Sequence, residues 1–150
     1  MIILKEVDLR HDDEARWHVK EEEVVVAFAT GPGELISLEG LNRYEAGDAL
    51  ITGSTGSRWS VSRDRFDAKY AAITPLRQGE DGRYRSLPVP VLAKQMSAAF
   101  RIARSAGGDM LEGAAGDWLM QYAPGDFGIT ENSRFVQVYR LSAKQLPSAQ

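Results

Sequence analysis

Apolar residues along this chain come in short alternating runs, broken every few positions by Gly, Pro, Asp or Ser. "EEVVVAFAT" (residues 22–30) is β-branched and aromatic and ends in Gly31-Pro32-Gly33, a strand running into a turn. "ELISLEG" (34–40) alternates Leu35 and Ser37 with Ile36 and Leu38, a short strand. "GDALITG" (47–53) reads as a strand entered by a Gly-Asp turn and closed by a Gly-rich one. "SRWSVS" (57–62) alternates Trp59 and Val61 with Ser60 and Ser62, the pattern of a half-buried strand. "DWLMQY" (117–122) and "RFVQVYRL" (134–141) read the same way, with Phe135, Gln137 and Tyr139 alternating with Val136 and Val138. Short strands at this spacing predict a small antiparallel barrel or meander.

One segment has two readings. "LAKQMSAAFRIARSA" (92–106) sets Leu92, Met96, Ala99, Phe100 and Ala103 at helical spacing, with good helix formers between them. The matching piece of the first half is interrupted by Gly-Pro-Gly, which no continuous helix accommodates. Two strands around a Ser-Ala-Ala turn are therefore preferred.

The chain matches itself. Residues 46–70 laid over 115–139 align Ala-Gly-Asp with Ala-Gly-Asp, Leu50 with Leu119, Gly56 with Gly125, Arg65-Phe66 with Arg134-Phe135 and Tyr70 with Tyr139, all 69 residues apart. Upstream the similarity weakens: Val25-Val26-Ala27 resembles Val91-Leu92-Ala93 only with a shifted offset. This predicts a mainly β or α+β protein of two tandem modules, approximately 22–73 and 88–141, packed about a pseudo-twofold within one compact domain of residues 1–150. "RQGEDGRYRSL" (77–87), rich in charge and Gly, is expected to be the linker.

Composition narrows the function classes. An apolar content of 43% and a charged content of 26% belong to an ordinary soluble globule. The net charge of −3 argues against nonspecific nucleic-acid binding, which needs a clustered basic face. With no cysteine, disulfides, thiolate metal sites and cysteine nucleophiles are excluded. "MIILKEVDLR" lacks the apolar core of a signal peptide, and no segment approaches the ~18 apolar residues of a membrane span. The expectation is a cytoplasmic protein with no membrane association.

Few residues offer chemistry. Asp48 and Asp117 open matching strands, either as turn locks accepting backbone N–H bonds or as a carboxylate pair brought together by pseudosymmetry. "RHDDEARWH" (10–18) gathers His11, Asp12, Asp13, Glu14 and His18 without a recognised metal spacing, so no metal or other cofactor is expected. Arg58, Arg63 and Arg65 interleave with Trp59 and Phe66, a combination that holds anions, although alternation puts Arg58 and Arg63 on opposite faces. Trp118, Tyr122 and Phe127 either line an aromatic pocket or pack the core. Asp126-Phe127-Gly128 repeats a kinase tripeptide, but the other kinase motifs do not appear in order. Pro124-Gly125-Asp126 is instead a structural turn.

"PGDFG" (124–128), preceded by "GAAGDWLMQY" and followed by Phe135 and Tyr139, resembles the bacterial PGDYG family. The layout is also similar to that of small phage and bacterial proteins of unknown function. Phe127 stands where that family has Tyr, so a hydroxyl there is dispensable. The resemblance implies no reaction. The expected function is a non-catalytic module that binds a small molecule or a protein between its copies, compatible with a homodimer. The ligand-binding residues expected are Asp48, Asp117, Trp118, Arg58, Trp59, Arg65 and Arg134. The alternative is a hydrolase that uses these carboxylates and arginines on an anionic small molecule.

Overall fold

The computed structural model describes residues 1–37, 40–143 and 145. In chain order the elements are β1 (Ile2–Ile3), a 3-10 turn (Leu9–His11), β2 (Arg16–Lys20), β3 (Glu23–Phe28), β4 (Gly33–Ser37) and β5 (Gly40–Tyr44). Then come β6 (Ala49–Thr52), β7 (Arg58–Val61), α1 (Arg63–Lys69), β8 (Tyr70–Ala72), β9 (Gly82–Ser86) and β10 (Val91–Gln95). The last are β11 (Phe100–Ala103), β12 (Met110–Gly113), β13 (Trp118–Ala123), β14 (Asp126–Thr130), α2 (Asn132–Val138) and β15 (Tyr139–Leu141). The fold is mainly β. Among the described residues, no helix is long and apolar enough to cross a membrane.

The expected single domain divides into two compact units. One is continuous, Lys20–Val89; the other is split between Met1–Val19 and the chain from Pro90 onward. The continuous unit is built on a sheet ordered β7-β6-β3-β9-β8, antiparallel at every pairing. β3 shows the period-two pattern of a sheet with one buried face: Val24 and Val26 are buried, Glu23, Val25 and Ala27 exposed. On the buried face Phe66 of α1 packs with Val24, Val26, Ala49, Ile51, Tyr70 and Tyr84. β4 and β5 form a separate two-stranded sheet. The expected strand through Leu38 ends at Ser37, and Leu38 itself lies outside the described residues.

The split unit has a sheet ordered β14-β13-β10-β2-β15 and a smaller one ordered β1-β11-β12. Its larger sheet is apolar on both faces. Val91, Ala93 and Met120 pack with Phe135 of α2 on one face. Leu92, Leu119 and Phe127 pack with Leu9, Met96, Phe100, Ile102 and Leu111 on the other. Burial on both sides explains why Val91-Leu92-Ala93 is a continuous apolar run. Segment 92–106 is indeed two strands, β10 and β11, with a bend at Ser97-Ala98 rather than a helix.

Two expectations are corrected. The stretch 134–141, read as a strand, is largely α2, with β15 only its last three residues. Phe135 and Val138 are buried three residues apart, whereas strand alternation would have buried Val136, which is 66% exposed. α1 likewise replaces the end of the expected strand region after Val61. The supposed linker 77–87 contains β9, hydrogen-bonded between β3 and β8, with Tyr84 fully buried. Arg83 and Arg85 on its exposed side disguised a strand that buries only Tyr84 and Ser86.

The 69-residue spacing carries α1 onto α2 and β8 onto β15, residue for residue. Upstream the spacing is 67: Val26 pairs with Ile51 as Ala93 pairs with Met120. The difference falls between β4 and β5 in one unit and between β11 and β12 in the other. The strand beside β3 is β9, which follows β8, while the strand beside β10 is β2, from near the N-terminus. The modules read from the sequence, 22–73 and 88–141, leave both of these strands out.

Candidate functional site

The two aspartates sit at the same place in each unit. In the turn Glu45–Asp48, the Asp48 N–H donates to the Glu45 carbonyl at 3.1 Å, and a carboxylate oxygen of Asp48 accepts the Glu45 N–H at 2.9 Å. In Ala114–Asp117 the same two bonds measure 3.1 and 3.0 Å. The third residue of each turn is a glycine at positive φ, Gly47 at 89° and Gly116 at 95°, as a type II turn requires. Each turn is tied to the residue that follows the neighbouring strand, β3 or β10: Ala29 N–H donates to Asp48 C=O, and Met96 N–H to Asp117 C=O. Asp48 belongs to the continuous unit and Asp117 to the split one.

Asp117 also receives the Asn132 N–H at 3.4 Å, which joins the turn to the start of α2. Asn132 Oδ1 accepts from Trp118 Nε1 at 2.9 Å and from Gln95 Nε2 at 3.3 Å. The half-buried Trp118 ring stacks on Phe135 at 3.7 Å between centroids, and Phe135 stacks on Tyr139. His18 of β2 meets both Trp118 and Phe135 edge-on. Its Nδ1 lies 2.8 Å from the Arg16 carbonyl, a bond the ring must donate. Burial pulls the His18 pKa below its ordinary value, with the Arg16 carbonyl opposing.

Trp118 and Phe127 therefore do not line one pocket. Trp118 packs against the helix-side cluster, and Phe127 is buried in the opposite one. The Pro124-Gly125 turn joins β13 to β14, with Gly125 at φ 79° and Asp126 already paired with Ala123. Tyr122 is partly exposed, its hydroxyl end close to Gly128.

In the continuous unit, Arg58 and Trp59 are neighbours on β7, opposite Thr52 and Ile51 of β6. Arg58 is exposed, and so is Arg65 on α1. Arg134, the counterpart of Arg65 on α2, is buried. Arg63 turns away from this group: it pairs with Asp67 at 2.9 Å and lies over the Phe28 ring. Asp67, held by Gln78 and Arg63, titrates below the usual carboxylate range.

A polar cluster that pattern reading missed lies under Trp59. The Lys20 ammonium stands 4.8 Å from the Trp59 ring centroid and donates to the Tyr70 hydroxyl at 2.8 Å. Glu22, with its side chain fully buried, lies 3.7 Å from the same ammonium. Glu22 also accepts both the N–H and the hydroxyl of Ser54 at 2.9 Å, which pins the Gly-rich loop 53–57. Glu22 was legible only as one of three consecutive glutamates.

The N-terminal acidic residues scatter. His11 is exposed beside Asp8, whose carboxyl is held well below the usual range by hydrogen bonds from Arg10 and then Gln121. Asp12 pairs with Lys94 at 2.8 Å; burial alone would raise its pKa, but Lys94 and the Glu14 N–H bring it below the ordinary value. Among the described residues, no group of three metal-ligating side chains comes together.

Comparison with curated proteins and with solved structures returns no match. A family model described as PGDYG protein matches residues 40–140, about two thirds of the chain, from β5 through most of β15. It takes in the Glu45–Asp48 turn, both helices, the Ala114–Asp117 turn and the Pro124-Gly125 hairpin, and on that match the chain belongs to the PGDYG protein family.

Proposed function

We propose that this protein is a non-catalytic binding module built from two copies of one β scaffold. The observation that carries this reading is the identical use of Asp48 and Asp117: each spends a carboxylate oxygen on its own turn. A general acid or base needs its oxygen aimed at substrate rather than at a backbone N–H. The other charged groups support it. Glu22 holds a loop, Lys20 is bonded to Tyr70, and His18 is turned onto its own strand. The ligand is a small molecule or a protein, and the working location is the cytoplasm.

A thermal-shift panel of nucleotides, sugar phosphates, divalent metals and short oligonucleotides tests the reading, with hydrolysis assays on anionic esters run beside it. A small ligand at a hundred times its dissociation constant adds ~2.7 kcal/mol of stability. A shift without turnover is the expected result. Turnover that disappears in Asp48→Asn or Asp117→Asn would replace this reading with a carboxylate hydrolase.

A further inference from the structure

We propose that the outer edge of β4 docks an extended aliphatic segment of a partner protein that carries a basic residue. This rests on the binding reading above, and names the surface and the chemistry of what it takes.

The split unit supplies the precedent. There β11 is flanked by β12 on one side and by β1 on the other. β1 adds in parallel, with Ile2 opposite Phe100 and Ile3 opposite Arg101. Ile2 N–H donates to the Ala99 carbonyl and Leu4 N–H to the Arg101 carbonyl, each at 2.9 Å. The counterpart of β11 in the continuous unit is β4. Gly33 pairs with Tyr44 in the first hairpin where Phe100 pairs with Gly113 in the second, and each hairpin ends five residues before the next strand. Among the described residues, β4 has β5 as its one strand partner. Among the described residues, no strand is hydrogen-bonded to β4 in the place that β1 fills on β11.

That edge carries exposed aliphatic side chains. Glu34 is the counterpart of Arg101, so its backbone groups face outward, and those of Ile36 do so two residues on. Ile36 is 80% exposed, and Leu41, directly across from it on β5, is 55% exposed. Unpaired edge groups beside exposed aliphatic side chains are what an added strand uses.

Charge selects the segment. Arg101 is paired across its hairpin with Glu112 at 3.1 Å. At the same place the continuous unit has Glu34 facing Arg43, and among the described residues Glu34 makes no ion pair. A segment laid on β4 in the register of β1 puts its third residue opposite Glu34. Lysine there is favourable and glutamate is repelled.

The probes are labelled peptides of residues 1–7 carrying Ile3→Lys or Ile3→Glu, titrated with the full chain by fluorescence anisotropy. The lysine peptide is expected to bind roughly fivefold more tightly than the glutamate peptide. Glu34→Lys should invert that order. Ile36→Pro removes an outward N–H and should abolish binding of both, while an unchanged melting temperature reports that the chain is folded. The proposal is overturned if neither peptide binds, or if the preference survives Glu34→Lys. It is overturned too if sedimentation finds a dimer that Ile36→Pro dissociates, which gives the edge to a second copy. The broader reading is decided separately, by turnover and by the thermal-shift panel.

Discussion

The sheet of the split unit and the sheet of the continuous unit share strand order and register, yet one is buried on both faces and the other on one. Counterpart positions show the change residue by residue. Leu92 is 5% exposed, and Val25 in its place is 57% exposed. Phe127 and Ile129 of β14 pack in the second core; Arg58 and Ser60 occupy their places on β7. Trp17 of β2 packs there too, and Arg83 of β9 stands for it, paired with Glu23 at 2.7 Å. The difference lies in the cover. In the split unit the N-terminal segment brings Leu4, Val7, Leu9 and Ala15 onto that face. Buried Gln121 fastens the segment by accepting Leu9 N–H at 2.6 Å and donating to Asp8 at 3.0 Å. The continuous unit has no such segment among its described residues, and its outer face is correspondingly polar. The same strand order thus carries one core or two, depending on what the second face meets.

The helix-side cores should be equivalent, and this is where the largest effects are expected. Phe66→Ala and Phe135→Ala each delete a buried ring stacked on a tyrosine and should cost about 3–5 kcal/mol. Hydrogen exchange resolved by unit checks this; a mild loss in either one breaks the equivalence. Next comes the face where the units differ. Leu92→Ala should cost about 2–5 kcal/mol, and Val25→Ala no more than ~0.5 kcal/mol, by urea denaturation. Equal losses would mean that the outer face of the continuous unit is covered in solution.

A finer test uses a swapped pair. Gly113 lies against the Phe100 ring and Gly33 against the Tyr44 ring, the glycine and the aromatic residue having exchanged strands. A methyl at Gly113 overlaps a fully buried ring, so Gly113→Ala should cost about 1–3 kcal/mol. At Gly33 it meets the hydroxyl end of a half-buried tyrosine that can swing aside, so less than ~1 kcal/mol is expected from thermal melts. The smallest effect is in pH. Burial depresses the folded pKa of His18, so its contribution is present above the unfolded value near 6.5 and is lost as pH falls through the folded value. Melting temperatures at pH 7 and pH 5 should differ less in His18→Gln than in the parent chain. An unchanged difference would assign the acid sensitivity to other groups.

Much of the scaffold was legible wherever local chemistry sufficed. Gly47-Asp48 and Gly116-Asp117 announce their turns because glycine takes the positive φ and aspartate closes the bond. Pro124-Gly125 announces its hairpin for a related reason. β6, β7 and β13 follow from alternation or from apolar runs bounded by turns. The helices were not legible, because each is only seven residues long, and α1 buries Phe66 alone while α2 adds to Phe135 only Arg134 and Val138, too little to set a helical period. β9 was hidden because the two arginines and glycine around Tyr84 look like loop composition. Of the candidate site residues, Asp117 and Trp118 come together through Asn132, and Arg58 and Trp59 adjoin on β7. Lys20 and Glu22 gave no signal, since meeting Tyr70 and Ser54 takes chain separations of 50 and 32 residues.

By itself, then, the amino-acid order determined the turns, about half of the strands and the 69-residue spacing that recurs in α1 and α2, the turns and those strands following from interactions within a few residues. Which strand completes each sheet, which face is buried twice and which charges are buried were decided only in three dimensions. Those outcomes depend on distant segments, residues 1–15 above all, competing to cover the same apolar surface.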